Sequence, residues 1–460
     1  MQEVYRKFIK ESEKKAFNLE HRNKINFNIS KYDVAVEKGK KQYKDLDLAK
    51  KRAASIKHKV INELEKYLLE FVANFEKGGG KVIWAQDKEE AVNEILTIMK
   101  RYNAKKVVKS KSMITEEIEI NEALEKNNIE SLETDLGEYI VQIAGEKPYH
   151  IVTPAMHKSR DDVAKLFHEK FNTPRDSTPS EITLFVREKL RDKFLNADIG
   201  ITGGNFLIAD TGAVCLTENE GNALMSVSFP KVHIAVVGIE KIIPSLTDLD
   251  LFWPLLASHG TGQNITVYNS VISGPRQGGE TDGPDEMYLV LLDNNRSELL
   301  KHNEQRAALT CIRCGACLNA CPVYKNIGGH TYATTYSGPI GSVITPHLKG
   351  MNKYKHLSFS SSLCGNCTEV CSVKIPLHEL LLYNRNDSVK AGYSKTIDKI
   401  SMYGMKKILL KRKRMDMFNA GMKNIALRTF IKKVWGPRRE LPVIAKKSFR
   451  ELWLQKKGLK

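Results

Sequence analysis

The stretch CIRCGACLNACP, residues 311–322, sets Cys311, Cys314, Cys317 and Cys321 at gaps of two, two and three residues and closes on Pro322. This is the spacing by which bacterial two-cluster ferredoxins wrap a [4Fe-4S] cluster. A tight turn brings several thiolates onto one cluster, and Gly315 lets the backbone approach closely. A zinc site would be satisfied by two Cys-x2-Cys pairs. Three successive short gaps ending in Cys-Pro fit iron–sulfur chemistry better.

Fifty residues on, SSLCGNCTEVCS repeats the pattern with its first member replaced: Cys364, Cys367 and Cys371 follow Ser361, and Ser372 stands where proline would. In two-cluster modules the fourth cysteine of each motif ligates the other cluster. That rule assigns Cys311, Cys314, Cys317 and Cys371 to a first cluster, and Cys321, Cys364 and Cys367 to a second. The second then lacks one thiolate, leaving three outcomes: a serine alkoxide from Ser361, a solvent or external ligand, or a three-iron cluster. Either of the first two makes it the more labile centre. Forty-two residues separate Cys321 from Cys364, and Pro376 sits at a favourable first-turn position before LHELLLYNRN. Both features favour a helical ferredoxin module of the kind found in respiratory and dehydrogenase complexes.

Seven of the eight cysteines fall within these 61 residues. Such crowding in a large chain points to metal rather than disulfides. Cys215 stands apart and reads as a small buried hydrophobe.

Upstream, residues 1–77 read as charged helix, with Val60, Leu64, Leu68 and Val72 on one stripe, stopped by Gly78-Gly79-Gly80. KVIWA (81–85) is then a strand, Asp87 an N-cap, EEAVNEILTIMKRY a helix and KKVVKS a strand. The pattern continues through Thr115 as an N-cap, the helix EEIEINEALEKNN and the apolar segments YIVQIA and HIVTPA. Such alternation predicts an α/β domain with a largely parallel sheet. Closely spaced strands follow in ADIGITGGNFLIADTGAVCLT and KVHIAVVGI. Residues 259–286, rich in Gly, Asp, Asn and Pro, read as long loops before the strand MYLVLLD, and the chain turns helical near Arg296. The expected organisation is a helical segment 1–59, an α/β domain 60–300, a helical two-cluster ferredoxin module 301–387 and a basic, mostly helical region 388–460.

Length and a 42% hydrophobic content fit a folded multidomain protein. The formal charge of +18 belongs to the tail, because residues 388–460 hold 21 Lys/Arg against 4 Asp/Glu. Within it, Lys411–Arg414 sit beside Leu409, Leu410, Met415 and Phe418, an amphipathic surface suited to anionic lipid or a companion protein. Nucleic acid is a poor fit, as no recognition fold accompanies the charge. No run reaches the roughly 18–20 apolar residues of a membrane span and the N-terminus lacks a signal-like apolar stretch, so the expected location is cytoplasmic, with peripheral contact at the inner membrane face open.

Other constellations are weaker. Glu218 and Glu220 in TENEGNA resemble the acid-bearing loop of CoA transferases, but a turn that holds neighbouring loops accounts for them more simply. Gly203-Gly204-Asn205 could cradle an anion. No G-x-G-x-x-G follows a strand, so no NAD site is expected. His150, His157 and His259 read as structural.

Taken together, SKSMITEEIEIN, LETDLGEYIVQIAGEKPYHIVTPA, GITGGNFLIADTGAVCLTENEGNA, DGPDEMYLVLLDNNRS, both cysteine motifs and the tail WGPRRELPVIAKKSFRELW resemble the lactate utilisation protein B family of bacterial iron–sulfur proteins. In that family the second motif is either complete or lacks its first cysteine, often with serine there, as at Ser361. The resemblance implies electron transfer from oxidation of L-lactate to pyruvate towards the respiratory chain, beside two companions, a cysteine-rich subunit and a small α/β subunit. It also implies an α/β fold similar to sugar-phosphate isomerases and CoA transferases. The residues alone leave an alternative: an enzyme acting on a small carboxylic acid or its activated ester through the α/β domain, with regulatory clusters.

Overall fold

The computed structural model describes residues 2–394, 396–435 and 439–458. Residues 436–438 of the quoted tail stretch lie outside the described part. The chain divides into two compact units, Met1–Ser388 and Val389–Lys460.

Among the described residues of the first unit, ten strands form two sheets: β1 Lys81–Ala85, β2 Lys106–Lys109, β3 Glu130–Glu133, β4 Ile199–Thr202, β5 Phe206–Ile208, β6 Ala213–Glu218, β7 Val232–Gly238, β8 Ile242–Ile243, β9 Tyr268–Ile272 and β10 Glu286–Leu292. The larger sheet runs β1-β10-β7-β4-β2-β3 with every pair parallel. The smaller runs β8-β5-β6-β9, with β6 antiparallel to both neighbours. Side chains alternate across the central strands, so each face of the parallel sheet has its own core. Tyr288, Val290 and Leu292 with Ile234 and Val236 pack under the helices Lys88–Arg101 and Ile120–Lys126. Met287, Leu289 and Leu291 with Ala235 and Val237 pack against the helix Leu64–Lys77 and against Leu207 and Val214 of the small sheet.

The other face of the small sheet fixes the cysteine module. Phe206, Ile208, Ala213, Cys215 and Ile243 share one core with Phe8, Ile25 and Ile29 of the N-terminal helices and with Ile312, Leu318, Tyr324 and Val343 of the module. Cys215 is fully buried there, and burial pushes its thiol up to about 12, as suits a packing residue.

Several local expectations need correction. The cap of the helix after β2 is Ser112, because the Thr115 hydroxyl is already engaged with the Ser112 carbonyl and Lys109 Nζ. That helix is also two pieces, Met113–Glu117 and Ile120–Lys126, parted by a left-handed Glu119. YIVQIA is helical rather than a strand: Asp135 caps Leu136–Ile143 by accepting from the Glu138 N–H at 3.0 Å. HIVTPA is a turn, in which His150 Nδ1 accepts from the N–H groups of Val152 and Thr153. The actual strand of this unit is β3, whose polar sequence ESLE suits an edge. Residues 259–286 are not all loop, since β9 pairs with β6 over five residues. The long helix around Val60 breaks at Glu63.

The second unit is a series of helices, chiefly Thr396–Leu409, Ala420–Ala426 and Phe449–Lys456, none with a buried residue. Leu410, Met415 and Phe418 are exposed beside the basic run. Among the described residues no helix is long and apolar enough to cross a membrane.

Candidate iron–sulfur centre and adjoining cavity

The two cysteine loops are built alike. Arg313 and Leu363, each preceding the second position of its motif, both adopt the left-handed region (φ 62° and 54°), and Gly315 and Gly365 follow at 82° and 85°. In each loop two left-handed residues flank a cysteine, Cys314 in the first and Cys364 in the second, and turn the backbone tightly around it. In the first loop the Arg313 N–H donates to Cys311 Sγ at 3.4 Å. In the second, the Leu363 N–H donates to Ser361 Oγ at 3.1 Å. The Ser361 hydroxyl therefore takes the same backbone proton that the Cys311 sulfur takes. Further N–H donors reach the closing cysteines: Tyr324 to Cys321 Sγ at 3.5 Å and Ile375 to Cys371 Sγ at 3.3 Å.

Cysteines of the two motifs lie near one another. Burial, and after it the neighbouring Cys311, Cys314 and Cys371, push the Cys317 thiol well above its ordinary value. Cys371 is pushed up to about 12 by burial and then by Cys314 and Cys311, so it faces the first motif. Cys367 is raised to about 11 by burial and then by Cys321 and Cys364, which brings Cys321 to the second motif. Cys364 is the exposed member. The Ser372 hydroxyl, in the place of a proline, lies 3.5 Å from Cys314 Sγ.

The donor set fits iron–sulfur clusters better than zinc. A tetrahedral zinc with bonds of about 2.3 Å needs sulfurs only about 3.8 Å apart. Among the described residues, the groups of three or more candidate ligand atoms within 4.8 Å of one another are Glu146–His157–His330 and Glu116–Glu133–Glu138, so no three cysteine sulfurs are gathered as closely as one zinc ion requires. Cationic surroundings fit as well. Arg313, Lys241 and Lys57 all feel the Cys311 thiol, and a thiolate-bound cluster carries net negative charge; burial lowers Lys241 to about 8 and Lys57 to about 7, so Arg313 is the firmest of the three cations.

Those cations belong to a buried network that ties the module to the α/β domain. Arg296 donates from Nη1 and Nη2 to Glu117 at 2.9 and 2.8 Å and from Nε to Glu240 at 2.6 Å, all three residues being buried. Tyr336 Oη donates to Glu117 at 2.6 Å, and the Arg313 guanidinium lies 4.6 Å from the Tyr336 ring centre and 3.4 Å from Glu240 Oε1. Lys57 Nζ donates to the carbonyls of Glu240 and Ile242. Burial opposes the Glu240 charge, but Arg296, Arg313 and Lys241 outweigh it and hold the carboxyl at about 2.

A cavity of about 400 Å³ opens beside the network, lined by residues from both parts of the unit, including Ser110, Lys111, Asp135, Lys241, Arg313 and Cys314. It lies outside the carboxyl ends of β2, β3, β4 and β7, where open parallel sheets bind ligands. Gly203, Gly204 and Asn205 line it, while Asn205 Oδ1 is engaged by the Thr217 N–H. Glu218 accepts from the N–H groups of Ala223 and Leu224, and Glu220 from that of Leu136. Both acids thus hold backbone, although they too line the cavity. His157 meets Glu146 at 2.5 Å and His259 Nδ1 bonds the Leu255 carbonyl, both structural placements. Sequence reading missed Arg313, Lys241 and the Arg296 network. Only Arg313, lying inside the first motif, carried a local signal.

A parallel α/β domain joined through a common core to this seven-cysteine module defines an iron–sulfur protein. The LUD domain family matches residues 68–292, and the 4Fe-4S dicluster domain family matches residues 307–375. Lactate utilization protein B of Bacillus cereus (strain AH820) is 45% identical over 415 residues, covering 88% of this chain and 87% of its own; that of Bacillus cytotoxicus is 45% identical over 418 residues with the same coverage. The chain belongs to the lactate utilization protein B family. A crystal structure of a DUF162 family protein from Deinococcus radiodurans aligns with a TM-score of 0.28 and 13% identity, covering 50% of this chain and 98% of that one.

Proposed function

We propose that the protein is an electron-transfer subunit in the oxidation of L-lactate to pyruvate, passing electrons towards the respiratory chain through two [4Fe-4S]-type clusters. The observation that supports this reading is the nearness of Cys371 to Cys311, Cys314 and Cys317, and of Cys321 to Cys364 and Cys367, the placement that crossed ligation would require. Crossed ligation holds two centres close together. Bound clusters supply one-electron storage. The chain's own part is to hold them: N–H donors to Cys311, Cys321 and Cys371 stabilise thiolate charge, and Arg313, with Lys241 beside it, balances it. The first set has four thiolates. The second has three and Ser361. The names of the relatives supply lactate as the fuel.

The companions are a cysteine-rich subunit and a small α/β subunit, and the basic tail, with its exposed apolar side chains, suits docking onto one of them or onto the inner face of the membrane. Anaerobic iron and sulfide analysis with low-temperature EPR tests the cofactor. Two clusters per chain, reduced by L-lactate only when both companions are present, are expected; zinc without sulfide overturns the reading, and reduction by L-lactate with the chain alone turns it towards an enzyme. A chain ending at residue 387 should keep its cluster absorption and lose co-purification with the companions.

A further inference from the structure

The cavity at the carboxyl ends of the parallel strands has features of a built ligand site. Arg313 enters it from the loop between Cys311 and Cys314, with its side chain 10% exposed. Its Nη1 is buried without a hydrogen-bond partner, while Nη2 reaches Glu240 only at 3.4 Å. Leaving a buried guanidinium donor unpaired is costly, and a small rotation of the Arg313 side chain into the cavity it lines would give Nη1 the acceptor that the chain does not supply. Lys241 lines the same end of the cavity and interacts electrostatically with Arg313 and Glu240. At the other end Lys111, Asp135, Glu218 and Glu220 interact among themselves. One end thus sets Arg313 and Lys241 against the single carboxylate of Glu240, and the other is predominantly acidic, which suits a ligand with a single anionic group and a neutral hydrogen-bonding remainder, and disfavours one with several phosphates. Ser110 and Ser112 also line the cavity, and the Ser112 hydroxyl, which accepts the Thr115 N–H as helix cap, keeps its own proton to donate. The cationic end is also the cluster end, because Cys314 lines the wall and Gly260 packs so close to it that a Cβ there would lie 3.0 Å from the Cys314 carbonyl.

We propose that this cavity binds a small organic monocarboxylate, its carboxylate taken by Arg313 and Lys241, against the loop that carries Cys311 and Cys314. The choice of a hydroxy or keto acid as ligand rests on the lactate reading above; the site itself rests on the cavity and the unpartnered guanidinium. An anionic ligand here would lie in contact with the wall of the first cysteine set.

The test uses the full chain with clusters reconstituted anaerobically, titrated by calorimetry with L-lactate, pyruvate and inorganic phosphate, and followed by EPR of the reduced protein. Saturable binding of L-lactate or pyruvate, one per chain, with a change in the EPR line shape is expected. Lys241→Gln and Arg313→Gln should each weaken binding about tenfold or more, the loss of one charged hydrogen bond. Iron and sulfide are measured in each variant and affinities are compared at equal cluster loading, which separates ligand binding from cluster loss. Absence of saturation by either carboxylate, phosphate binding as tightly, or unchanged affinity in a cluster-loaded Lys241→Gln overturns the proposal. If carboxylate binding fails while companion-dependent reduction by L-lactate persists, the cavity assignment falls and the electron-transfer reading stands; binding without that reduction gives the reverse.

Discussion

At Ser361 a single atom separates two otherwise matching loops. Its hydroxyl accepts the Leu363 N–H as Cys311 Sγ accepts that of Arg313, so the side chain already occupies the position of a first-motif ligand. Ser361→Cys should therefore complete the second set, raising iron and sulfide per chain and lengthening the lifetime of the absorption band in air; unchanged content and lifetime would mean that position 361 does not face the iron. Arg296 offers a contrasting case. Its guanidinium neutralises Glu117 and Glu240 where water does not reach, and the pair's own attraction is offset by the cost of burying three charges. Removing one partner leaves the others uncompensated. Arg296→Met should lower stability by roughly 3–5 kcal/mol, seen as a large drop in Tm, whereas replacing an exposed ion-pair member such as Lys51 should change Tm little.

Among elements, the β5–β6 hairpin shows how closely the two sheets and the helix Leu64–Lys77 approach. Gly212 in its turn has φ 68°, and a Cβ there would lie 2.2 Å from the Phe75 backbone nitrogen. Gly212→Ala combines backbone strain with a clash against main chain that cannot rotate away, so a loss above about 1 kcal/mol is expected, read as a lower Tm with cluster content per folded chain unchanged. The elements legible in the sequence were those whose signals are local. Asp87 caps its helix as expected, β1, β7 and β10 carry dense apolar runs, and the seven cysteines announce themselves because ligands three or four residues apart share one turn. What stayed hidden depends on distant partners. Strand β3 reads as polar because it lies at a sheet edge, and β9 reads as loop because only its pairing with β6 makes it a strand. Arg296 meets Glu117 across 179 residues and Glu240 across 56, a spacing to which no periodicity points. The cavity is assembled from strand ends and the cysteine loop, so its lining exists only once the fold brings them together.

On the scale of the whole molecule, the first unit is rich in histidines kept neutral by burial, and this sets its response to acid. His233 on β7 is fully buried, its Nε2 bonded to Thr202 Oγ1 at 2.8 Å, and burial lowers it from 6.5 to about 3. His21 and His259, at about 4, are lowered by burial first and then by nearby lysines, and His157, also at about 4, by burial against the pull of Glu146. In the unfolded chain these imidazoles titrate near 6.5, so below that pH the unfolded state binds protons that the folded state refuses. The stability they contribute is complete above pH 6.5 and is lost as pH falls from there towards their folded values. For His233 alone the loss between pH 7.5 and 5.5 is about 1.4 kcal/mol. Thermal unfolding of the cluster-loaded chain should accordingly show a Tm that falls from pH 7.5 to 5.5. In His233→Gln, which keeps a polar group near Thr202 but cannot take up the proton, the gap between the two pH values should narrow. An undiminished gap would show that His233 is charged in the folded protein, against its burial in the centre of the parallel sheet.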